Sequence, residues 1–205
     1  MTKIFVISLD NEIGAKRRSK LTYNYEWFKA NNEAMPFIQK KMLHFWASKE
    51  KCRRGKEGCV DSYYRLCYKI YKEKINDCII FEDDCHLIDL PNDMPKKLCY
   101  LNGLFIDSDS WDKYPDFSIE NGLNEINYDK SRILGCWGIY IPKYHDVLPI
   151  LEMISKYSKH LKAIDIMLMN NQIINHYLYP ACSYVDDGGE SQISKSHFKE
   201  KNNYR

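Results

Sequence analysis

The sequence lacks the features that mark membrane-spanning, secreted and zinc-binding proteins. It has no apolar run long enough to cross a bilayer, and the apolar stretch before Asp10 is too short for a signal peptide. Its eight cysteines form no CxxC pairs and no clusters with histidine at zinc-ligand spacing, which indicates reduced thiols rather than a zinc site. It contains neither an internal repeat nor a low-complexity tract. These absences predict a cytoplasmic protein whose 205 residues suffice for one core.

Charge is unevenly distributed along the chain, although the net charge is only +2. Residues 1–75 hold 17 lysines and arginines against 8 acidic residues, whereas the remainder holds 13 against 20. A basic first third and an acidic remainder suit an anionic ligand that lies between them, with a metal ion on the acidic side. An ordinary solvated surface explains the same distribution, so charge alone does not decide between the two.

Apolar runs alternate with segments of helical periodicity, and this alternation predicts one α/β domain. The expected strands are 3–9, 23–28, 78–81, 98–106, 132–141 and 177–184, and the expected helices are 37–46, 58–74, 143–157 and 163–174, with a loop running into a short helix at 12–20 and a basic loop at 49–57.

One short stretch carries the strongest functional signal. The apolar residues 78–81 indicate a buried strand, and they run directly into Glu82, Asp83 and Asp84. Ligands bind at the C-terminal ends of strands in open α/β sheets, and three adjacent carboxylates repel one another unless a cation lies among them. Their oxygen atoms suit Mg²⁺ or Mn²⁺. The alternative is a solvated acidic turn after a buried strand.

Two arginines and an isolated aspartate are further candidates. Arg17 and Arg18 follow the first strand, where guanidinium groups can hold a diphosphate through paired hydrogen bonds; exposed solubilising charges are the alternative. Asp165 lies in an otherwise apolar helix, where a carboxylate is costly unless it is paired or used in chemistry. It could equally cap the start of that helix.

Residues 107–131 form a long connection that is acidic, aromatic and rich in turn-forming residues. Connections of this length in compact domains are commonly functional. Exposed rings stack on sugar faces while carboxylates accept hydrogen bonds from hydroxyl groups. An acceptor loop for a carbohydrate is therefore one interpretation of this stretch, and a disordered insert is the other.

The order of these motifs resembles glycosyltransferase family 25, which comprises lipooligosaccharide and collagen-type sugar transferases of the GT-A superfamily. The matching segments are VISLDNEIGAKRR, GCVDSYY, IIFEDDC, LGCWGIYIP and the helix that carries Asp165. The resemblance covers most of residues 3–187. It departs at position 63, where tyrosine replaces the usual histidine, and in lacking a small-residue-Asp-Gly turn after the second strand.

The resemblance implies a single Rossmann-like GT-A domain over residues 1–205, with a central, mostly parallel sheet flanked by helices and an acceptor loop at 107–131. It implies the metal-dependent transfer of a hexose from a nucleotide-diphosphate sugar, in the first place a UDP-sugar, to a glycan or protein-linked glycan. Inversion at the anomeric carbon is the expected stereochemistry, and Mn²⁺ (or Mg²⁺) is the expected cofactor.

Carried over residue by residue, the resemblance assigns roles to single positions. Asp84 is the first choice for a metal ligand, Glu82 is the second acid and His197 a third ligand, while Asp165 is the candidate catalytic base. The implied nucleotide-binding residues are Ser8, Leu9, Arg17, Arg18, Glu82 and Asp83.

A non-catalytic protein that binds nucleotides or nucleic acid is the alternative function. The basic, tyrosine-rich first third could contact phosphates and stack on bases. No RRM, KH or zinc-finger pattern is present, so a nucleic-acid partner is not expected. A catalytically inactive transferase that only holds a nucleotide or a glycan is a third interpretation.

Overall fold

The computed structural model describes residues 2–30, 50–107, 120–156 and 162–185. The strands are β1 (Lys3–Leu9), β2 (Glu26–Ala30), β3 (Cys78–Glu82), β4 (Cys85–Leu87), β5 (Cys99–Asp107), β6 (Gly122–Glu125), β7 (Ser131–Ile141), β8 (His176–Tyr179) and β9 (Ser183–Val185). The helices are α1 (Glu12–Arg18), α2 (Glu50–Lys72), α3 (Leu148–Lys156) and α4 (Ile164–Asn170), with a 3₁₀ turn at Tyr144–Val147.

Seven strands form one sheet in the order β2-β1-β3-β7-β5-β8-β6, and β4 pairs with β9 in a small second sheet. β2 and β3 run parallel to β1, and β8 runs parallel to β5, whereas β7 is antiparallel to both β3 and β5 and β6 is antiparallel to β8. Of the seven strands described in this sheet, five therefore point the same way, and β6 and β7 oppose them. The predicted α/β class with a mostly parallel sheet is confirmed, and the arrangement is that of a single Rossmann-like domain.

The strands β1 and β3 bury side chains on both faces of the sheet, as their continuous apolar runs predict. Phe5 and Ile80 pack in one cluster with apolar residues of α2, α3 and α4. Val6 and Ile79 belong to a second cluster on the opposite face. All four side chains are fully buried, and each contributes roughly 1.5–3 kcal/mol to stability. This burial fixes the position of the C-terminal ends of β1 and β3.

Gly138 on β7 leaves room for the ring of Phe81 on β3. It pairs with Phe81, and a Cβ atom at position 138 would lie 2.7 Å from Cε1 of that ring. A larger residue at this position would require the Phe81 ring to shift. The sequence predicts a close approach at the glycines of this strand, and here the approaching group is an aromatic ring.

The helix α2 begins earlier than the sequence predicts. The described residues of the expected basic loop at 49–57 are helical, so that prediction is wrong. Lysine, arginine and glutamate are good helix formers, and Glu57 is buried. Gly55 and Gly58 each cost about 1 kcal/mol in a helix, but the apolar face outweighs them. That face consists of Val60, Tyr63, Leu66, Cys67 and Ile70.

Other element boundaries differ by a few residues from the expected ones. The expected strand at 23–28 begins only at Glu26, because Tyr23 packs on the sheet face and donates a hydrogen bond of 2.8 Å to the carbonyl of Cys85. The segment 143–157 divides into the 3₁₀ turn and α3, the helix expected at 163–174 ends at Asn170, and the strand expected at 177–184 is two strands, β8 and β9.

Two expected segments fall wholly or partly outside the described residues. The helix at 37–46 lies outside them, as do residues 108–119 of the expected acceptor loop. The later part of that loop is not structureless, because Gly122–Glu125 form the strand β6. Among the described helices, none is long and apolar enough to cross a membrane.

Candidate active site at the end of the central strand

The structure brings the acidic residues and the arginine helix to one edge of the sheet. Glu82 is the last residue of β3, and Ile7 of β1 is its partner in the parallel pairing. The C-terminal ends of β1 and β3 therefore lie side by side. The helix α1 follows β1 directly and returns its arginines to this edge. This edge of α/β sheets is the usual place for ligands.

The acidic residues that follow β3 point to different sides of the sheet, because side chains alternate along a strand. Glu82 faces α2, where Tyr63 Oη donates a hydrogen bond of 3.4 Å to Oε1 and Cys59 Sγ lies 3.9 Å from the same atom. Asp83 faces the other side, toward Ser8 and α1. Three neighbours in the sequence thus have different surroundings.

Asp83 is tied into the fold through both of its oxygen atoms. Ser8 Oγ donates a hydrogen bond of 2.7 Å to Oδ2, and Arg17 Nη1 donates one of 2.9 Å to Oδ1. The carboxylate is buried, with 8% of the residue exposed. Burial opposes the charge on Arg17, but the nearby carboxylates of Asp83 and Asp84 outweigh it and raise the pKa of the guanidinium. Asp83 therefore orders the site rather than offering a free ligand atom.

Arg18 is also engaged at the end of β1. Its Nη1 atom donates hydrogen bonds of 2.6 Å to Ser8 Oγ and 2.7 Å to the carbonyl oxygen of Leu9. The guanidinium carbon lies 3.9 Å from the centroid of the Trp27 ring, and Trp27 Nε1 donates a hydrogen bond of 3.1 Å to the carbonyl oxygen of Ser8. Ser8, Leu9 and Arg18 are therefore brought together at the end of β1, with Trp27 beside them, and their expected role in nucleotide binding stays a prediction.

Gly14 permits α1 to lie directly on the end of β1. A Cβ atom at this position would lie 2.1 Å from the carbonyl oxygen of Leu9 and 2.8 Å from Ser8 Oγ. Asn11 caps the helix, since its side chain accepts a hydrogen bond of 2.8 Å from the Gly14 amide. This close packing lets Arg17 reach Asp83.

Glu82 and Asp84 are two carboxyl groups of the site whose pKa values are raised. Burial raises the pKa of Glu82 to about 8, and the charges of Asp84, Asp165 and Asp83 contribute to the rise against the hydrogen bond from Tyr63. Burial also raises the pKa of Asp84; Arg17 opposes this effect and Asp83 adds to it. Burial, together with repulsion between neighbouring carboxylates, therefore disfavours the charged forms of Glu82 and Asp84.

Among the residues that the structure describes, one oxygen atom of Asp84 has no hydrogen-bond partner. Oδ1 is buried and makes no hydrogen bond within the described part of the chain, whereas Oδ2 lies 3.8 Å from Arg17 Nη1. A buried carboxylate oxygen without a donor is costly, so this atom is suited to receive one from a ligand or a cation.

A divalent cation fits this arrangement only if the substrate supplies further ligands. Within the described ranges, no group of three or more His, Cys, Asp or Glu residues could hold a metal ion. Mg²⁺-like ions are commonly held by one or two carboxylates, with substrate phosphates and water completing the shell. Asp84 can supply one such carboxylate, with Glu82 beside it. His197 lies outside the described residues, so its assignment stays a prediction.

Asp165 lies in the first turn of α4 and connects this helix to β7. Its Oδ2 atom accepts a hydrogen bond of 3.2 Å from the amide of Gly135, and its Oδ1 atom accepts one of 2.8 Å from the amide of Ile166. Gly135 has a φ angle of 83°, which favours glycine. The N-cap position is Ala163, so the interpretation of Asp165 as the N-cap is wrong.

Asp165 belongs to the same electrostatic environment as the acids of β3. Burial raises the pKa of the Cys59 thiol, and the charges of Glu82, Asp165 and Asp84 raise it further. Two hydrogen bonds leave about half of the acceptor capacity of the Asp165 carboxylate free. The structure therefore places a fixed carboxylate near the acidic edge, on the side of α2 and α4.

Sequence reasoning missed Trp27, Tyr63 and Gly14 as parts of the site. Trp27 is visible in the sequence only as an aromatic residue in an expected strand, and Tyr63 only as a departure from the family pattern. The sequence could not show that these residues lie near the acids, because their positions depend on the strand order and on how the helices pack against the sheet.

Comparison with known proteins agrees with this geometry. Residues 1–116 match the family model described as glycosyltransferase family 25 (LPS biosynthesis protein), which covers more than half of the chain and includes β1, α1 and the acidic end of β3. No curated protein matches the chain. The family match favours an enzyme over the non-catalytic alternatives, and the expected sugar-transferase chemistry is confirmed at that level. The chain belongs to glycosyltransferase family 25 and is a glycosyltransferase.

Proposed function

We propose that this enzyme transfers a hexose from a nucleotide-diphosphate sugar, in the first place a UDP-sugar, to a glycan or protein-linked glycan acceptor. The reaction is metal-dependent and proceeds with inversion at the anomeric carbon. The observation that carries the proposal is the buried Oδ1 atom of Asp84 after β3, which has no hydrogen-bond partner among the described residues, beside a second carboxyl group, Glu82, whose pKa is also raised.

The leaving group sets the main chemical demand on the site. A nucleoside diphosphate departs with additional negative charge, so the enzyme must supply positive charge where that charge develops. Mn²⁺ or Mg²⁺ held by Asp84, with Glu82 beside it, would act as a Lewis acid toward the diphosphate. Among the side chains, Arg17 supplies a fixed positive charge at this place, since its guanidinium lies 3.8 Å from Asp84 Oδ2.

Asp165 is the proposed general base. The oxygen of the acceptor hydroxyl forms a bond to the anomeric carbon, and the bond from that carbon to the diphosphate oxygen breaks with its electron pair passing to the diphosphate. The proton of the acceptor hydroxyl passes to an oxygen of Asp165. The hydrogen bond from the Gly135 amide holds this carboxylate in place, and a correctly placed base contributes about 10²–10⁴-fold to the rate.

The proposal is tested by measuring nucleotide release and sugar transfer with a panel of nucleotide-diphosphate hexoses in Mn²⁺ and in EDTA. Asp84→Asn is expected to lose activity and donor affinity together. Asp165→Asn is expected to lose about 10²-fold or more in turnover while its donor affinity stays near that of the wild type.

Asp93→Asn is the matched control, because Asp93 is exposed and lies outside the strands and helices. Undiminished activity of Asp84→Asn in Mn²⁺ would contradict the assigned role of Asp84. Unchanged turnover of Asp165→Asn would show that this residue only joins α4 to β7.

A further inference from the structure

Trp27 presents an aromatic ring to solvent beside the acidic edge. The residue is 40% exposed, although it lies within β2. Its neighbour Phe28 points to the opposite face of the sheet, where it packs against the cluster under α2. Arg18 covers one face of the Trp27 ring at 3.9 Å, so a ligand could stack only on the opposite face.

Two contacts fix the plane of this ring before any ligand arrives. The guanidinium of Arg18 stacks on it, and Nε1 donates a hydrogen bond of 3.1 Å to the carbonyl oxygen of Ser8. Arg18 is itself held by hydrogen bonds to Ser8 and Leu9. A ring held in this way loses little conformational freedom when a flat ligand stacks on it.

The position of Trp27 relative to the acids matches the dimensions of a nucleotide. The strands β2, β1 and β3 are neighbours in that order, and their pairing places Trp27 level with Val6 and Phe81. The acids lie two strand spacings across and one to three residues further along, so they are roughly 10–14 Å from Trp27. Ser8 joins the two, since its carbonyl accepts from Trp27 and its hydroxyl donates to Asp83. An extended nucleoside diphosphate spans a similar distance between its base and its diphosphate.

We propose that the exposed face of Trp27 stacks on the nucleobase of the donor while the diphosphate lies at Asp84. This inference rests on the proposed function, because it assumes a donor at this edge. Stacking on an aromatic ring is favourable for every base, since each base has a π-face. Trp27 therefore sets the affinity for the nucleoside and does not choose among bases.

The test is the affinity of the full chain for UDP, GDP and inorganic pyrophosphate in Mn²⁺, measured by titration calorimetry. Trp27→Leu removes the ring, Trp27→Phe keeps a ring without the indole hydrogen bond, and Tyr68→Leu is a control at an exposed ring on α2. Trp27→Leu is expected to weaken UDP and GDP by about tenfold or more and to leave pyrophosphate unchanged. Trp27→Phe is expected to retain most of the nucleotide affinity, and Tyr68→Leu all of it.

The possible failures are distinguishable. Wild-type affinity of Trp27→Leu for UDP would overturn this inference and leave the proposed function intact. Equal weakening of UDP and pyrophosphate, or equal losses in the Leu and Phe variants, would show that Trp27 supports the fold of the edge, which also overturns the inference. Failure of the wild type to bind any of the three ligands would overturn the inference and the proposed function together.

Discussion

Replacing Glu82 by glutamine tests the electrostatic account of the site through stability alone. The folded protein holds the Glu82 proton more tightly than the unfolded chain, because its pKa rises from the ordinary 4.5 to about 8. Between these values the folded state binds more protons than the unfolded state, so the free energy of unfolding falls as the pH rises. Glutamine mimics the protonated acid at every pH, and the variant therefore escapes this loss.

The expected magnitude follows from the two pKa values. Between pH 5 and pH 7.5 the contribution of Glu82 becomes less favourable by about 3 kcal/mol, since each unit of pKa difference corresponds to about 1.4 kcal/mol. In a chain of this size that amounts to roughly 6–12 °C in Tm. Above about pH 8 the difference between the two proteins levels off, because Glu82 is then ionised in both states.

The assay is thermal or urea unfolding of the wild type and Glu82→Gln across this pH range, in EDTA so that no cation stabilises the carboxylate. Glu125→Gln serves as the control, because this glutamate lies exposed on β6. The stability of Glu82→Gln relative to the wild type is expected to increase steadily with pH, while that of Glu125→Gln stays flat. A constant difference between Glu82→Gln and the wild type from pH 5 to pH 7.5 would refute the reasoning.

Two further variants test how the edge is built. Gly14→Ala should destabilise the protein by about 1–3 kcal/mol in urea unfolding, because its Cβ atom would lie 2.1 Å from the carbonyl oxygen of Leu9; unchanged stability would show that α1 can move away from β1 freely. Asp83→Asn should lower the free energy of unfolding by about 2 kcal/mol, because it removes the charge that pairs with Arg17 at 2.9 Å. If 1 M salt abolished the difference in stability between the variant and the wild type, the pair would instead be a screened surface interaction.

The strands that position the site, β1 and β3, could be predicted from the sequence, because buried strands appear as continuous apolar runs. The apolar runs that become β1 and β3 bury both faces, so no alternation obscures them, and the acids come immediately after β3. The position of Glu82 beside the end of β1 then follows from parallel pairing of neighbouring strands.

The separate roles of the acids could not be predicted in the same way. Glu82, Asp83 and Asp84 look equivalent in the sequence, and only the direction of each side chain shows that Asp83 is paired with Ser8 and Arg17 while Asp84 keeps a free oxygen atom. The two alternatives for Asp165 were likewise undecidable, since the start of α4 and the contact with β7 depend on packing between distant segments. Trp27 gains its place from the strand order and from the packing of α1, which brings Arg18 onto its ring.

The most direct test of a metal-dependent donor site at Asp84 is a thermal-shift measurement of the full chain with UDP, GDP, CDP and dTDP, each in Mn²⁺ and in EDTA. A ligand at 100 times its Kd stabilises the folded state by about 2.7 kcal/mol. The account predicts a shift with a nucleoside diphosphate in Mn²⁺ that disappears in EDTA and in Asp84→Asn. A shift that persists in EDTA and in Asp84→Asn, or no shift with any of the four diphosphates, would contradict it.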